Sequence, residues 1–452
     1  MAPFRAHIIH VGNMNNKGTQ ALFISDVSVI RSIVSREVSI SVSTTDIEGV
    51  KRLNLPLEAI LPPAVDIPYE KADQLAKKLR IGRKGVRYIS FMIAMLCNML
   101  MQTALTIFSI LLIKAGLGAP YRKETLKHVK DCDLVISHSD ENFKESASLL
   151  PLNPYWALTW WSMLISRTME ILVAKSFGKS VIMFPNSVGP FRTWIGRFLA
   201  RLSLNSCDHV LIRDPISYEI VRQLKIRSLK TLTFDTALLF STPDGNDSDS
   251  FSRPLMGVSP GIYARALSQG EIHKYIMAHA WALDAAIKKY GFFVVLMPHY
   301  ISGFRFDDME TCKLIMDNMK NKDRVQIVST NTVEKFKLLL DQMDMIVSSK
   351  MHPAILGASG YVPILCVAYD HKQTGFFQRL DMSDCILDIQ GLSKESLFSK
   401  IEHVWIRRKQ LRESLEDKIP AWQTHLRETL KKTVAPYVQK YDVEGKGSSS
   451  LS

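Results

Sequence analysis

No two cysteines in this chain stand close enough to make a Cys-x-x-Cys pair, and no Cys/His cluster carries zinc spacing. The six present, Cys97, Cys132, Cys207, Cys312, Cys366 and Cys385, are ordinary usage for a reducing compartment. They exclude a disulfide scaffold and predict no metal site. The N-terminal stretch "MAPFRAHIIHVG" lacks the charged, apolar and small-residue blocks of a signal peptide, so it reads as a short lead into a first strand. There is no fixed-period repeat, no Gly-x-Gly-x-x-Gly turn and no Walker turn. An arginine–aromatic repeat is also missing, and with it the usual recognition surface for nucleic acid.

What is present describes a globular protein with anionic partners. The 452 residues are 46% hydrophobic and 22% charged, too long for one ordinary core, so two domains are expected. A net charge of +13 favours acidic lipid headgroups or small phosphorylated substrates. Short apolar runs alternate with amphipathic segments, the pattern of parallel α/β units. Strands are predicted at 7–12, 38–44, 133–137, 180–185 and 209–214, with "TFDTALLF" (233–240) closing the set. A second set follows at 256–261, 292–299, 324–329, 343–349 and 362–370. Between them "STPDGNDSDSFSRP" (241–254) reads as a linker, and 268–291 as a helix stopped by Gly291. The expected division is an N-terminal domain at 1–242, a C-terminal domain at 255–392, helices at 393–440 interrupted at Pro420, and a disordered tail at 441–452.

One segment breaks the alternation. From Tyr88 to Ile113 no side chain is charged, which is long enough to span a bilayer. Arg83, Lys84 and Arg87 precede it, and Lys114, Arg122 and Lys123 follow. If the strands before and after it share one sheet, both must lie on the same side of a membrane, so a single crossing is excluded. A hairpin, an in-plane helix or a docked helix remains, and basic flanks suit an anionic surface at about 1 kcal/mol per Lys or Arg. The sequence thus predicts peripheral or monotopic attachment of 88–113 to an anionic membrane.

The polar residues gather at predicted strand ends, where ligands collect in open α/β sheets. In "GNMNNKGTQALF" (12–23), Asn15 and Gly18 sit at a turn whose backbone N–H groups could face an anion, or which is a tight turn and nothing more. "ISHSDENF" (136–143) places Asp140 in a crowded turn, with a solvated capping loop as the bland reading. Arg213-Asp214 reads either as an anion-binding arginine or as an N-cap with a salt bridge. His299 closes "LMPHY", and "SSKMHPAIL" puts Lys350 and His352 beside a helix start, with Pro353 as its first residue. "YDHKQTGFF" adds Lys372 at another strand end. A lone histidine is more often packed than catalytic, but this many polar groups at consecutive strand ends are harder to dismiss.

Taken together, "NNKGTQALF", "PNSVGPF", "IRDPISYE", "FDTALL", "LMPHY" and "SSKMHPAILGASGYVPILCVAYDHKQTGFF" resemble the polysaccharide pyruvyl transferase family over residues 7–382. The resemblance implies an architecture similar to glycosyltransferase B, two Rossmann-like domains with the active site in the cleft between them. It also implies transfer of a pyruvyl group from phosphoenolpyruvate to a sugar, forming a ketal and releasing phosphate. The acceptor would belong to a polysaccharide or a lipid-linked glycan. Phosphoenolpyruvate would be a co-substrate, with no cofactor or metal. His352 would do acid/base work, and Arg213, Lys350, His299, Asn15, Gly18, Asp140 and Lys372 would bind substrate. The chain departs from the family in having Lys350-Met351-His352 for the usual Arg-Leu-His, which keeps the charge and loses the bidentate fork. It also has "HSDENF" in place of a glycine-rich turn. Two other readings stand beside this one: a glycosyltransferase using a nucleotide sugar, and a non-catalytic membrane-bound scaffold. The implied location is cytoplasmic, at the membrane.

Overall fold

A computed structural model of the chain describes residues 3–34, 37–65, 84–118, 122–145, 154–242, 254–261, 268–301 and 307–448. The predicted linker falls almost wholly outside these residues. The chain divides into two compact units, one of Met1–Asn13, Asp26–Thr233 and Glu428–Ser452, the other of Met14–Ser25 and Phe234–Arg427.

The first unit holds a seven-stranded parallel sheet. Its strands are β1 (Phe4–Val11), β2 (Val38–Thr44), β3 (Ala59–Leu61), β4 (Leu134–Ser137), β5 (Ser180–Asn186), β6 (His209–Ile212) and β7 (Leu229–Leu232). Their order is β3-β2-β1-β4-β5-β6-β7, so the winding reverses between β1 and β4. Helices α1 (Lys17–Ile33), α2 (Ile47–Arg52), α3 (Lys84–Lys114), α4 (Lys123–Asp131), α5 (Pro154–Ser176), α6 (Trp194–Ser206) and α7 (Pro215–Gln223) fill the connections. The central strands are buried along their length, which is why they read as apolar runs and not as alternation.

The second unit has six parallel strands: β8 (Leu255–Ser259), β9 (Phe293–Leu296), β10 (Val325–Ile327), β11 (Met345–Ser348), β12 (Ile364–Ala368) and β13 (Ile386–Asp388). The order β10-β9-β8-β11-β12-β13 places its reversal between β8 and β11. Helices α8 (Gln269–Tyr290), α9 (Asp308–Asp317), α10 (Val333–Asp341), α11 (Met351–Ser359), α12 (His371–Arg379) and α13 (Lys394–Ile406) connect and cover them, and α14 (Arg408–Ser448) closes the chain. A capping box of Ser268 and Glu271 starts α8, and Gly291 ends it at φ 71°, a left-handed position where other residues are strained.

Several expectations change. "TFDTALLF" is no strand: β7 precedes it, and Thr236–Leu239 forms a 3-10 turn capped by Asp235. Strands β3 and β13 went unpredicted because they are partly exposed edge strands without a clear apolar run. The interruption expected at Pro420 falls instead at Arg407, and α14 runs through the proline. A mid-helix proline costs about 3 kcal/mol. Buried Leu411, Leu415, Ile419 and Leu426 on one face of the same helix offset it. The helix also continues to Ser448, into the predicted tail, because extending a formed helix is far easier than starting one.

All six cysteines are free, and Cys97 on α3 alone is exposed. Burial pushes the Cys132 and Cys207 thiols up to about 12. A thiol-reactive chromogen should therefore titrate one group per native chain and six after denaturation. Two or more fast thiols in the native protein would contradict the packing of the sheets.

Candidate functional site

In the second unit the polar residues converge at the C-terminal ends of β8, β9, β11 and β12. The reversal between β8 and β11 opens the sheet there, because successive connections leave on opposite sides. Asn16 caps α1: the Gly18 N–H donates to its Oδ1 over 2.9 Å. Lys17, on the first turn of α1, is buried, and its Nζ donates to the carbonyls of Pro298 (3.2 Å) and His299 (3.3 Å). Gln20 accepts from the Val333 N–H at 3.1 Å, and Asn16 bridges to Tyr300, which explains why Met14–Ser25 groups with this unit.

Asp308, the first residue of α9, is the carboxylate of the cluster. Its Oδ2 accepts the N–H of Tyr300 at 2.8 Å and of His299 at 3.2 Å, and its Oδ1 lies 3.1 Å from Lys350 Nζ. Lys350 is the N-cap of α11, but its side chain makes no cap hydrogen bond and reaches Asp308 instead. The helix begins at Met351, which puts Pro353 third, still within the turn whose N–H groups have no helical acceptor. Ser349 is held by Tyr275 Oη at 2.5 Å and, through its carbonyl, by Gln373 Nε2 at 3.2 Å.

Two imidazoles lie beside these cations. The His299 and His352 rings are near parallel, 18° apart in plane with centroids 6.3 Å apart. His299 is 3% exposed, and neither ring nitrogen has a hydrogen-bond partner among the described residues. Burial, with His352, Lys17 and Lys350 nearby, holds it well below the ordinary histidine range, so it is neutral at pH 7. Burial also lowers Lys17 to about 8, with Asp308 opposing the shift. Among the described residues the cluster therefore pairs two lysines with one carboxylate and holds a buried imidazole whose ring nitrogens have no hydrogen-bond partner. A buried polar group without a partner costs about 1–3 kcal/mol, which a bound ligand would recover.

Of the residues singled out from sequence, this unit brings Gly18, His299, Lys350 and His352 together. Lys372 is buried on the first turn of α12, and Asn15 is exposed at the turn before α1. Sequence reasoning missed Lys17 and Asp308. The signal for Lys17 was on the page, a cation between Asn16 and Gly18 at a helix start. Asp308 carried none, because its role rests on contacts with the His299 and Tyr300 N–H groups and with Lys350 that no local pattern announces.

Asp140 and Arg213 belong to the first unit. There the loop after β4 is locked: Asp26 accepts from His138 Nδ1 (2.8 Å), the Ser139 N–H (2.9 Å) and Ser139 Oγ (2.9 Å). Asp140 lies partly exposed beside Arg167, whose burial lowers its affinity for a proton while Asp140, Glu141 and Glu170 oppose the shift. Arg213 is buried, and its Nε donates to Ser187 Oγ at 2.8 Å. Asp214 caps α7, with Pro215 as first helical residue.

Gly18 is required by a close approach. A Cβ there would sit 2.1 Å from His352 Nδ1. Gly18→Ala should push the ring aside at a cost of about 1–3 kcal/mol. Imidazole resonances of His352 and His299 should both move; unchanged spectra in a folded variant would show that the ring has room.

Comparison with known proteins supplies the family. A model of the polysaccharide pyruvyl transferase family matches residues 50–371. The amylovoran biosynthesis protein AmsJ of Erwinia amylovora is 24% identical over 245 residues, half of this chain and 58% of that protein, so the chain spans less than two thirds of its length. Among solved structures, a putative UDP-N-acetylglucosamine 2-epimerase from Listeria monocytogenes superposes with a TM-score of 0.56 at 10% identity, covering 98% of each chain. The UDP-GlcNAc 2-epimerase of Neisseria meningitidis gives 0.56 at 11%, covering 96% and 99%, and Glycyrrhiza uralensis UGT73P12 gives 0.54 at 8%, covering 100% and 99%. At such identities these likenesses establish the fold, two parallel-sheet α/β domains of the glycosyltransferase B type. The family match runs from α2 to the first residue of α12 and takes in His299, Asp308, Lys350 and His352, and the chain belongs to the polysaccharide pyruvyl transferase family.

Proposed function

We propose that the chain transfers a pyruvyl group from phosphoenolpyruvate to two hydroxyls of a sugar in a polysaccharide or lipid-linked glycan, forming a ketal. The observation that carries this reading is His299: a buried, neutral imidazole near Lys17 and Lys350, neither of whose ring nitrogens has a hydrogen-bond partner among the described residues. Phosphoenolpyruvate brings a carboxylate and a phosphate, and two ammonium groups beside a helix start suit them.

In the proposed sequence His352 gives a proton to the methylene carbon, which becomes a methyl group and leaves C2 electron-deficient. A sugar hydroxyl attacks C2 and loses its proton, for which neutral His299 is the acceptor. The C2–O bond to phosphate then breaks, and a second hydroxyl closes the ketal. Of the two hydroxyl protons, one replaces that spent on the methylene carbon and the other leaves with phosphate. Lys17 and Lys350 offset the charge that gathers on the departing phosphate. The steps call for no cofactor. Arg213, Asp140, Asn15 and Lys372 keep the substrate-binding roles implied by the family resemblance. A phosphoenolpyruvate donor implies a cytoplasmic workplace, and the exposed apolar α3 supports attachment there to an anionic membrane. A nucleotide-sugar transferase would release nucleotide, and a scaffold would release neither nucleotide nor phosphate.

Release of phosphate that depends on both phosphoenolpyruvate and a sugar acceptor tests the reading. His352→Ala should lower that rate roughly 10²–10⁴-fold with donor binding retained; wild-type turnover would remove His352 from the chemistry.

The lysine gives a second test. Lys17 must be protonated to hold an anion, and its proton is lost as pH rises through about 8. Phosphoenolpyruvate affinity should hold from pH 7 toward 8, then fall by up to about tenfold per further unit as one proton must be regained. Lys17→Arg should abolish that fall. Lys17→Met should weaken binding at every pH, by roughly 10- to 150-fold for a lost charged hydrogen bond. A Met variant with unchanged affinity would place the anion elsewhere.

A further inference from the structure

Helix α3 is folded inside out for a protein in water. Its face toward the protein carries Met95, Met99, Thr106 and Ser109, while Ile93, Leu96, Leu100, Ile107, Phe108 and Leu111 are exposed. Thr103, Thr106 and Ser109 turn their hydroxyls back onto the carbonyls four residues earlier, at 2.7–2.8 Å, which satisfies them without water. In water the hydrophobic effect would favour the opposite rotation, Leu inward and Thr outward. The stretch Met92–Lys114 is long and apolar enough to cross a bilayer, roughly 34 Å at 1.5 Å per residue, yet only 17% of its most apolar window is buried.

The packing argues against a crossing. Met95 and Met99 cluster with Leu158, Trp161 and Ile165 of α5, and farther along Ile110 packs with Met169, Val173 and Phe177. Helix α3 thus lies lengthwise on α5. A crossing would carry α5 to the same depth with Arg167, Glu170 and Lys175, and charges at the centre of a bilayer are costly.

A second element carries the chemistry of a membrane surface. On α6, Trp194, Arg197, Phe198 and Arg201 fall at helical spacing on one exposed stripe, with Trp194 76% and Phe198 59% exposed. Trp161, already against α3, donates its Nε1–H to Glu145 at 2.8 Å, and Glu145 accepts the Thr193 N–H at 2.7 Å. That bracket ties the start of α6 to the seam of α3 and α5. At the other end of α3, a cavity of about 620 Å³ is lined by Ile113, Leu126 and Phe177 together with Lys123, Lys127 and Lys130. Aromatic residues and cations near both ends of an apolar helix match the headgroup level of an anionic bilayer at both ends.

We propose that α3 and the Trp194–Arg201 stripe of α6 form one docking face for an anionic lipid bilayer, with α3 lying in the plane of the interface. The proposal rests on the membrane reading above and adds its geometry and its second contact. A bilayer is favoured over a second copy of the chain because the apolar face is flanked by cations, which two copies would bring against each other and anionic headgroups would neutralise.

The test is flotation of the full chain with phosphatidylcholine vesicles, with and without phosphatidylglycerol. It is read together with the reactivity of Cys97 toward a membrane-impermeant maleimide. The chain should float with the anionic vesicles, and Cys97 should become protected. Leu100→Asp with Leu111→Asp changes two exposed side chains, so the fold should survive by its melting curve while flotation is lost. Trp194→Ala with Phe198→Ala should weaken partitioning by at least about tenfold. Arg197→Glu with Arg201→Glu should cost about fivefold or more per arginine and erase the preference for anionic lipid. Wild-type partitioning of both α6 variants, alongside loss in the α3 variant, would overturn the shared face and leave membrane attachment standing. Cys97 still reactive on floated protein would overturn the in-plane placement. Failure to float would overturn both readings, and so would Cys97 protected without lipid in a chain of dimeric mass, which would assign the face to a second copy.

Discussion

Among the described residues, buried Lys17 and half-buried Lys350 face one carboxylate, and much of the second unit is arranged around that imbalance. Asp308 accepts the backbone N–H groups of His299 and Tyr300 and pairs with Lys350, and its charge also opposes the loss of the Lys17 proton. Taking a charge out of water costs several kcal/mol, so two cations would not persist here against a neutral wall. A second carboxylate would complete the pairing and leave nothing for an anion to do. One carboxylate keeps the cations in place and leaves a positive surplus, which a phosphorylated carboxylate would neutralise. Lys17 records the tension in its lowered proton affinity, and His299 records it by staying neutral.

The same arrangement depends on where the parallel sheet reverses. Because β8 and β11 are neighbours, the turns after them bring Gly261 and Lys350 side by side, and a Cβ on Gly261 would overlap the Lys350 stem at 2.0 Å. The first unit has its own reversal between β1 and β4, and there Asp26 fastens His138 and Ser139. In that unit Asp26 holds the loop through His138 Nδ1 and Ser139, and in the second unit both His299 ring nitrogens lack a hydrogen-bond partner among the described residues.

Helix α3 follows a different constraint. Its backbone is satisfied along its length and its hydroxyls are satisfied locally, so it needs no water on its outer face. Its exposed apolar face, with basic and aromatic groups near its ends, is the observation on which the proposed lipid contact rests.

The sequence by itself determined the parallel α/β class, because strands buried on both faces must be apolar along their length. It also determined most long strands, the capped helix from Ser268 to Gly291, and the polar residues His299, Lys350 and His352 at strand ends. These features are local: a period, a cap, a turn residue. Strands β3, β7 and β13 were hidden because they are partly exposed edge strands without a full apolar run, and the passage of α14 through Pro420 was hidden because buried leucines on the same helix outweigh a local penalty. The tertiary structure placed Lys17 and Asp308 with the histidines: Lys17 arrives from a segment 282 residues before His299, and Asp308, nine residues after His299, meets Lys350 from another strand end. It alone decided that α3 turns threonine inward and leucine outward, because a charge-free run fixes how apolar a helix is and leaves its rotation to the partner it packs against.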